Sequence, residues 1–285
     1  MESKLDLPVL RRSSKGHGQG WLLRLPGILY LTLMIVVPLL VIVQDGLREG
    51  IAELIHQITL PIARHAILLT LWTSGLMTII NALMGLITAF VLVRFEFPGK
   101  RVLNAIVDLP LAIPTLVTGV MLVMLYGPQE ALGNFLANQI GFEVIFAPPG
   151  IVISLLFISF PFVVRNIQPV LQELDRTQEM AASTLGAGSW KTFWKIVFPA
   201  LILPLTSGSL MSFSRAIGEF GAVVIVAGNI PLKTQTAAVY TLGAVESENR
   251  LGASAVSLLL TSIAFLILIT ANAIQKYRGR KNAAD

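Results

Sequence analysis

The sequence predicts an all-α polytopic membrane protein with six transmembrane helices and both termini in the cytoplasm. Three observations carry this. Of its 285 residues 54% are hydrophobic and 13% charged, with a mean hydropathy of +0.76, whereas a water-soluble domain carries roughly a quarter of its residues as Asp, Glu, Lys or Arg. Six runs of about 20 mostly apolar residues, the length that crosses roughly 30 Å of hydrocarbon, are separated by charged segments. Lys and Arg alternate in abundance between successive connecting segments, sixteen on one side against four on the other, and cytoplasmic loops retain the positive charge.

The first run, Leu25 to Val43, lies between Arg24 and Asp45 and follows a basic leader holding Lys4, Arg11, Arg12 and Lys15. It is long enough to span, and Val43, Gln44 and Asp45 offer no small-residue cleavage pattern, so it reads as an uncleaved first helix rather than a secretory signal. Residues 1–20 read as a mobile cytoplasmic tail. The second run, Ala66 to Val93, is bounded by Arg64 and Arg94. The third extends from about Leu109 to Tyr126 after Asp108, and the fourth from about Val144 to Val164 before Arg165. The fifth starts at Ile196, reaches into the 220s, and alone carries interior charge. The sixth, Leu251 to Ile274, precedes Lys276 and a basic cytoplasmic tail over residues 276–285. Residues 21–275 thus form one transmembrane domain, with a long cytoplasmic loop over about 173–198, Asp108 and Arg165 as interface anchors, and Pro38, Pro114 and Pro161 as kinks in apolar helices.

Composition excludes several chemistries. The chain has no cysteine, which removes disulfides, thiolate metal sites and Cys nucleophiles. His17, His56 and His65 stand outside the apolar runs, which argues against a metal site or an acid/base residue within the membrane. The pI near 9.7 reflects charges placed between the runs, and so reads as orientation information rather than nucleic-acid binding. Gly99-Lys100 is followed by Arg101, and no phosphate-binding loop of the form Gly-x-x-x-x-Gly-Lys-Ser/Thr occurs, so ATP hydrolysis must reside on another subunit. The spans hold no Gly-x-Ser-x-Gly elbow for a hydrolase. The internal symmetry usual in a self-sufficient secondary transporter or anion channel is also missing.

Within the long loop, Glu179 and Met180 are followed by Ala181, Ala182, Leu185 and Gly186, and after nine residues by Ile196 and Pro199. Two adjacent alanines give a helix a face that another backbone can approach closely, Gly186 suits a left-handed helix stop, and Pro199 suits entry to the next element. This describes a docking lug; an interfacial helix seating Trp190, Phe193 and Trp194 at the headgroup level is the competing reading. In the fifth run, Arg215 stands eleven residues after Pro204, about 16 Å at helical rise, which puts it near mid-bilayer if the span begins at that proline. Glu219 at i+4 shares its face. The two form either a neutralised pair that fixes packing or a positive field on an anion path. Gly218 and Gly221, flanking Glu219 and Phe220, mark a break, after which Ala222 to Ala227 is too short to cross and reads as a gating element at the outer mouth.

The Ala-Ala, Gly and Ile-x-x-Pro spacing resembles the cytoplasmic motif of membrane subunits of bacterial ATP-binding cassette importers. The motif's glutamate position holds Met180, with Glu179 one place upstream, and its leucine position holds Phe198. Arg94-Phe95-Glu96-Phe97-Pro98-Gly99-Lys100-Arg101, Asp108 to Thr115, Pro161 to Leu171 and Arg215 to Ala222 closely resemble sulfate and thiosulfate importer permeases, and the stretch Arg165 to Leu171 resembles the T-type subunit. Gly218 to Ala222 is also similar to molybdate permeases. The resemblance implies a type I importer permease in a bacterial cytoplasmic (inner) membrane, crossing it several times and translocating sulfate or thiosulfate. It implies that Glu179, Met180, Ala181, Ala182, Leu185, Gly186, Ile196 and Pro199 couple to an ATPase. Arg215, Gly218, Glu219, Phe220 and Gly221 would line the substrate path or gate. The implied partners are two copies of an ABC ATPase, a second homologous permease, a soluble sulfate-binding protein on the outer face, and membrane lipid. The chain itself would bind no cofactor, ATP and Mg being held by the ATPase, and nucleic acid would not be a partner. Molybdate or tungstate import is the alternative substrate reading, and secondary anion transport the alternative mechanism.

Overall fold

The computed structural model describes the backbone of residues 19–281 and the side chains of residues 24–273. Of the expected tails, residues 1–18 and 282–285 lie outside the described residues. The described elements are helical throughout, and the chain divides into two units, Met1–Gln44 and Asp45–Asp285. In the first, α1 (Gln19–Leu31) passes through a π-helical turn, Thr32–Val36, into α2 (Val37–Gly46). That turn lies just before Pro38, where the missing N–H would otherwise interrupt the ladder of bonds.

The larger unit contains α3 (Ile51–Thr59), α4 (Pro61–Arg94), α5 (Lys100–Ala112), α6 (Thr115–Tyr126) and α7 (Ala131–Phe135), which ends in a π-helical turn, Leu136–Ile140. It continues with α8 (Pro148–Glu173), α9 (Thr177–Thr184), α10 (Ser189–Thr192), a π-helical turn at Phe193–Val197, α11 (Phe198–Ile217), α12 (Gly221–Ala227), α13 (Ala237–Glu246) and α14 (Arg250–Lys281). Five stretches are long and apolar enough to span: Arg24–Gly46, Pro61–Arg94, Pro148–Glu173, Ser189–Ile217 and Arg250–Ala273. The pair α5–α6, bent by 112°, makes six when counted as one broken span.

The third and fourth runs differ from their sequence-based limits. Pro114 does not kink a helix but separates two: Ile113 is extended (φ −86°, ψ 129°), the conformation that a following proline imposes. The 12 residues of α6 measure about 18 Å and do not cross alone. In the fourth run, Ala147 is extended and Pro148 and Pro149 occupy the first helical positions, so α8 starts four residues later than expected and runs on to Glu173. Arg165 therefore lies inside α8 rather than at its border.

The core sits among α4, α8 and α11, where Leu86, Ala89, Val163, Val164, Ile167, Val197 and Leu201 are buried together. Small residues let these backbones meet. A Cβ on Gly85 would come within 2.7 Å of the Val163 side chain, and one on Gly208 within 3.0 Å of the Val163 Cα. Buried hydroxyls in these helices return their hydrogen to the preceding turn: Thr73 donates to the Leu69 carbonyl at 2.7 Å and Ser154 to that of Gly150 at 2.7 Å.

Candidate functional site

The loop after α8 carries the short helix α9 and the left-handed glycine stop that the sequence suggests. Asp175 Oδ1 accepts the Thr177 amide at 2.9 Å at the start of α9. Hydrogen bonds from the Thr177 side chain, then from its amide, hold the Asp175 carboxyl below its usual range. At the other end Gly186 is left-handed (φ 80°), its amide bonds the Ser183 carbonyl at 3.0 Å, and the Ala187 amide bonds that of Ala182 at 3.0 Å. That doubled pattern is a Schellman stop, which satisfies two carbonyls that a helix end leaves open. Met180 and Leu185 are exposed, Leu185 at 87%. Ile196 and Pro199, expected at the end of the loop and the entry to the fifth span, lie within one continuous helical stretch from Ser189 to Ile217, which begins seven residues before Ile196. The π-helical turn Phe193–Val197 is separated from Pro199 by one residue, as the turn Thr32–Val36 is from Pro38. The aromatic residues have a job of their own: Trp190, Phe193, Trp194 and Phe198 pack on one another, with Trp194 and Phe198 centroids 4.5 Å apart.

Glu179 turns back towards the bundle and pairs with Arg94, the last residue of α4. A second network lies between α5 and α8. Arg165 donates from Nε to Asp108 at 2.6 Å, from Nη2 to the Asn104 carbonyl at 2.8 Å and from Nη1 to the Asn104 side chain at 3.0 Å, and it also bonds Gln168 and the second Asp108 oxygen. All five guanidinium hydrogens have acceptors. Asp108 and Arg165 are therefore not separate interface anchors but the two halves of a bond between helices. Sequence reasoning missed both this network and Arg94–Glu179. The available signal was opposite charge on segments that the Lys and Arg distribution assigns to the same face.

At the far end of α11 from α9, Arg215 Nη1 donates to Glu219 Oε2 at 2.7 Å, with side-chain exposures of 35% and 2%. Arg215 is not at the middle of its helix, because Pro204 lies inside α11 and the stretch begins at Ser189; it occupies the last turn, where the helix dipole favours a cation. The break after Ile217 is present, but neither glycine supplies it through a left-handed backbone: Gly218 has φ −94°. Glu219 bridges the break, its other oxygen accepting the Ala222 amide of α12 at 3.1 Å. Gly221 is required by space, since a Cβ there would meet the Thr115 hydroxyl. Phe220 packs on the buried cluster around Met77, Ile151 and Val223. Elsewhere, an apolar cleft of about 750 Å³ between α4, α5, α6 and α8 is walled by residues such as Met84, Ile106, Leu122 and Phe157. Its walls carry no cationic side chain, and Asn81, Thr88 and Tyr126 are the polar residues among its lining; mostly apolar walls replace little of a dianion's hydration.

Residues 81–282 match the family model described as binding-protein-dependent transport system inner membrane component. The chain belongs to this family. Among curated relatives, it is 41% identical over 246 residues to the probable sulfate transport system permease protein cysT of Chlorokybus atmophyticus, covering 86% of each chain. It is 39% identical over 258 residues to the sulfate transport system permease protein CysT of Synechocystis sp., covering 90% of each. Among solved structures, its fold is similar to a chain of a bacterial alginate ABC transporter crystallised with an alginate pentasaccharide-bound periplasmic protein (TM-score 0.75, 17% identity, 94% of this chain and 98% of that one). It is also similar to a chain of the inward-facing MetNI methionine ABC transporter (TM-score 0.56, 17% identity, 76% and 95%). The permease fold read from the sequence is thus the observed one.

Proposed function

We propose that this chain is a transmembrane subunit of an ATP-driven importer that moves sulfate or thiosulfate across a bacterial cytoplasmic membrane, and that it has no catalytic residue of its own. The near end-to-end similarity to sulfate transport permeases carries this reading. ATP and Mg belong to two copies of a separate ABC ATPase, a second homologous permease completes the pathway, and a soluble binding protein delivers the anion from outside. The loop geometry suits its assigned part: a helix stopped hard at Gly186 presents Met180 and Leu185 to a groove on the ATPase, and the small side chains of Ala181 and Ala182 permit close approach.

Residues 21–275 act as the membrane domain, with the α9 end of the bundle in the cytoplasm. Arg215 and Glu219 brace the join between α11 and α12, so that α12 moves with the end of α11 as a gating element. The test is reconstitution with the partner subunits and measurement of sulfate uptake against competing thiosulfate and molybdate. ATP-dependent sulfate uptake is expected; uptake that proceeds without ATP hydrolysis would overturn the reading in favour of secondary transport, and preferential inhibition by molybdate would reassign the substrate.

A further inference from the structure

We propose that Arg94 is a positioning residue for coupling: its guanidinium, paired with Glu179, holds α9 to the end of α4, so that displacement of the loop is passed along the whole of that helix. This rests on the importer reading above. Of the four other ion pairs among the described residues, His56–Glu53, Lys100–Glu96 and Arg215–Glu219 are local pairs three or four positions apart, and Arg165–Asp108 joins α5 to α8. Arg94 and Glu179 are 85 positions apart. The Arg94 side chain is only 9% exposed and that of Glu179 25%, although the residues around Glu179 are mostly exposed. Withdrawing a guanidinium from water is costly, and a buried ion pair adds little net stability over an apolar pair of the same shape. What such a pair supplies is a defined geometry between the two elements it joins.

A second contact lies on the same face of α4. Phe90, one turn before Arg94, packs edge-on against Phe193 with centroids 5.4 Å apart. Residues at i and i+4 of one helix therefore touch both halves of the loop, α9 through Glu179 and the π-helical turn through Phe193. From there α4 runs unbroken for 34 residues, about 51 Å. Near its opposite end the Thr70 hydroxyl oxygen accepts the amide of Ala237, the first residue of α13, at 2.8 Å. An uninterrupted helix fixed to the loop at one end and to α13 near the other carries a rigid displacement across the membrane.

The assembled importer, reconstituted in lipid vesicles, is assayed for ATP hydrolysis with and without sulfate-loaded binding protein. Arg94→Gln is expected to keep the ATPase in the purified complex at its basal rate, while stimulation by the loaded binding protein falls about 5- to 100-fold in Arg94→Gln and in Glu179→Gln alike. The reversal, Arg94→Glu with Glu179→Arg, is expected to recover most of it, which loss of a packing contact alone would not do. Single variants with undiminished stimulation overturn the proposal, as does a reversed pair that assembles yet stays uncoupled. Where the single variants fail to assemble, the reversed pair decides alone. A wild-type complex that does not respond to sulfate-loaded binding protein counts against the import reading and not against the tether.

Discussion

Glu219 is the most constrained charged side chain at the far end of α11, because each of its oxygens has a separate task. One neutralises Arg215 and the other accepts an amide at the start of α12. The pair is unequal in burial, 2% against 35% exposed, and the consequences of breaking it are unequal too. Arg215→Met leaves a buried carboxylate without its cation and is expected to cost about 3 kcal/mol, seen as a lower melting temperature and subunit yield. Glu219→Gln keeps an oxygen for the Ala222 amide and leaves a cation that water partly reaches, for a cost of about 1 kcal/mol. The double variant restores neutrality and is expected to recover both yield and transport. Double-variant protein that assembles normally yet fails to transport would show that the charge of Arg215 acts on the anion itself.

At the level of elements, α9 owes its limits to its two ends. Gly186→Val forces a β-branched residue into a left-handed backbone, and Ala182→Trp adds bulk to a half-buried position; the first is expected to cost at least about 1 kcal/mol. Both are expected to reduce ATPase co-purification with the subunit still inserted. At the start of α9, the lowered value of Asp175 means that its support of the first turn is complete above the ordinary carboxylate range and lost as pH falls through the folded-state value. Hydrogen exchange at the Thr177 amide, corrected for intrinsic rate, should quicken over that interval, and Asp175→Asn should abolish the dependence. Between α5 and α8, Arg165→Lys keeps the charge but not the five-donor fork, with an expected loss of about 1–2 kcal/mol in thermal unfolding. The stop at Gly186 was legible because glycine marks it in the chain. The Arg165 network was not, because Asn104 and Asp108 are 61 and 57 positions away, and no local pattern records which of the oppositely charged residues on that face Asp108 will meet.

For the whole molecule, five of the six spans were legible as single long helices in runs of apolar residues, since the bilayer allows few ways to satisfy a backbone, and the third run corresponds to the bent pair α5–α6. Hydropathy cannot detect a bend such as that at Ile113-Pro114, which changes direction without changing composition, nor tell whether Arg94 only orients the chain or also holds α9. Orientation follows from charge alone and is directly testable. Sixteen Lys and Arg flank one side and four the other, so Gly50 and Phe135 belong outside and Leu185 inside. All three are exposed positions, and the absence of native cysteine makes an introduced thiol the sole target on this chain. In spheroplasts, an impermeant thiol reagent is expected to label Gly50→Cys and Phe135→Cys at once and Leu185→Cys only after lysis. Inverted labelling would place α9 outside, beyond the reach of an ATPase in the cytoplasm, and so would remove the coupling role of the loop together with the orientation.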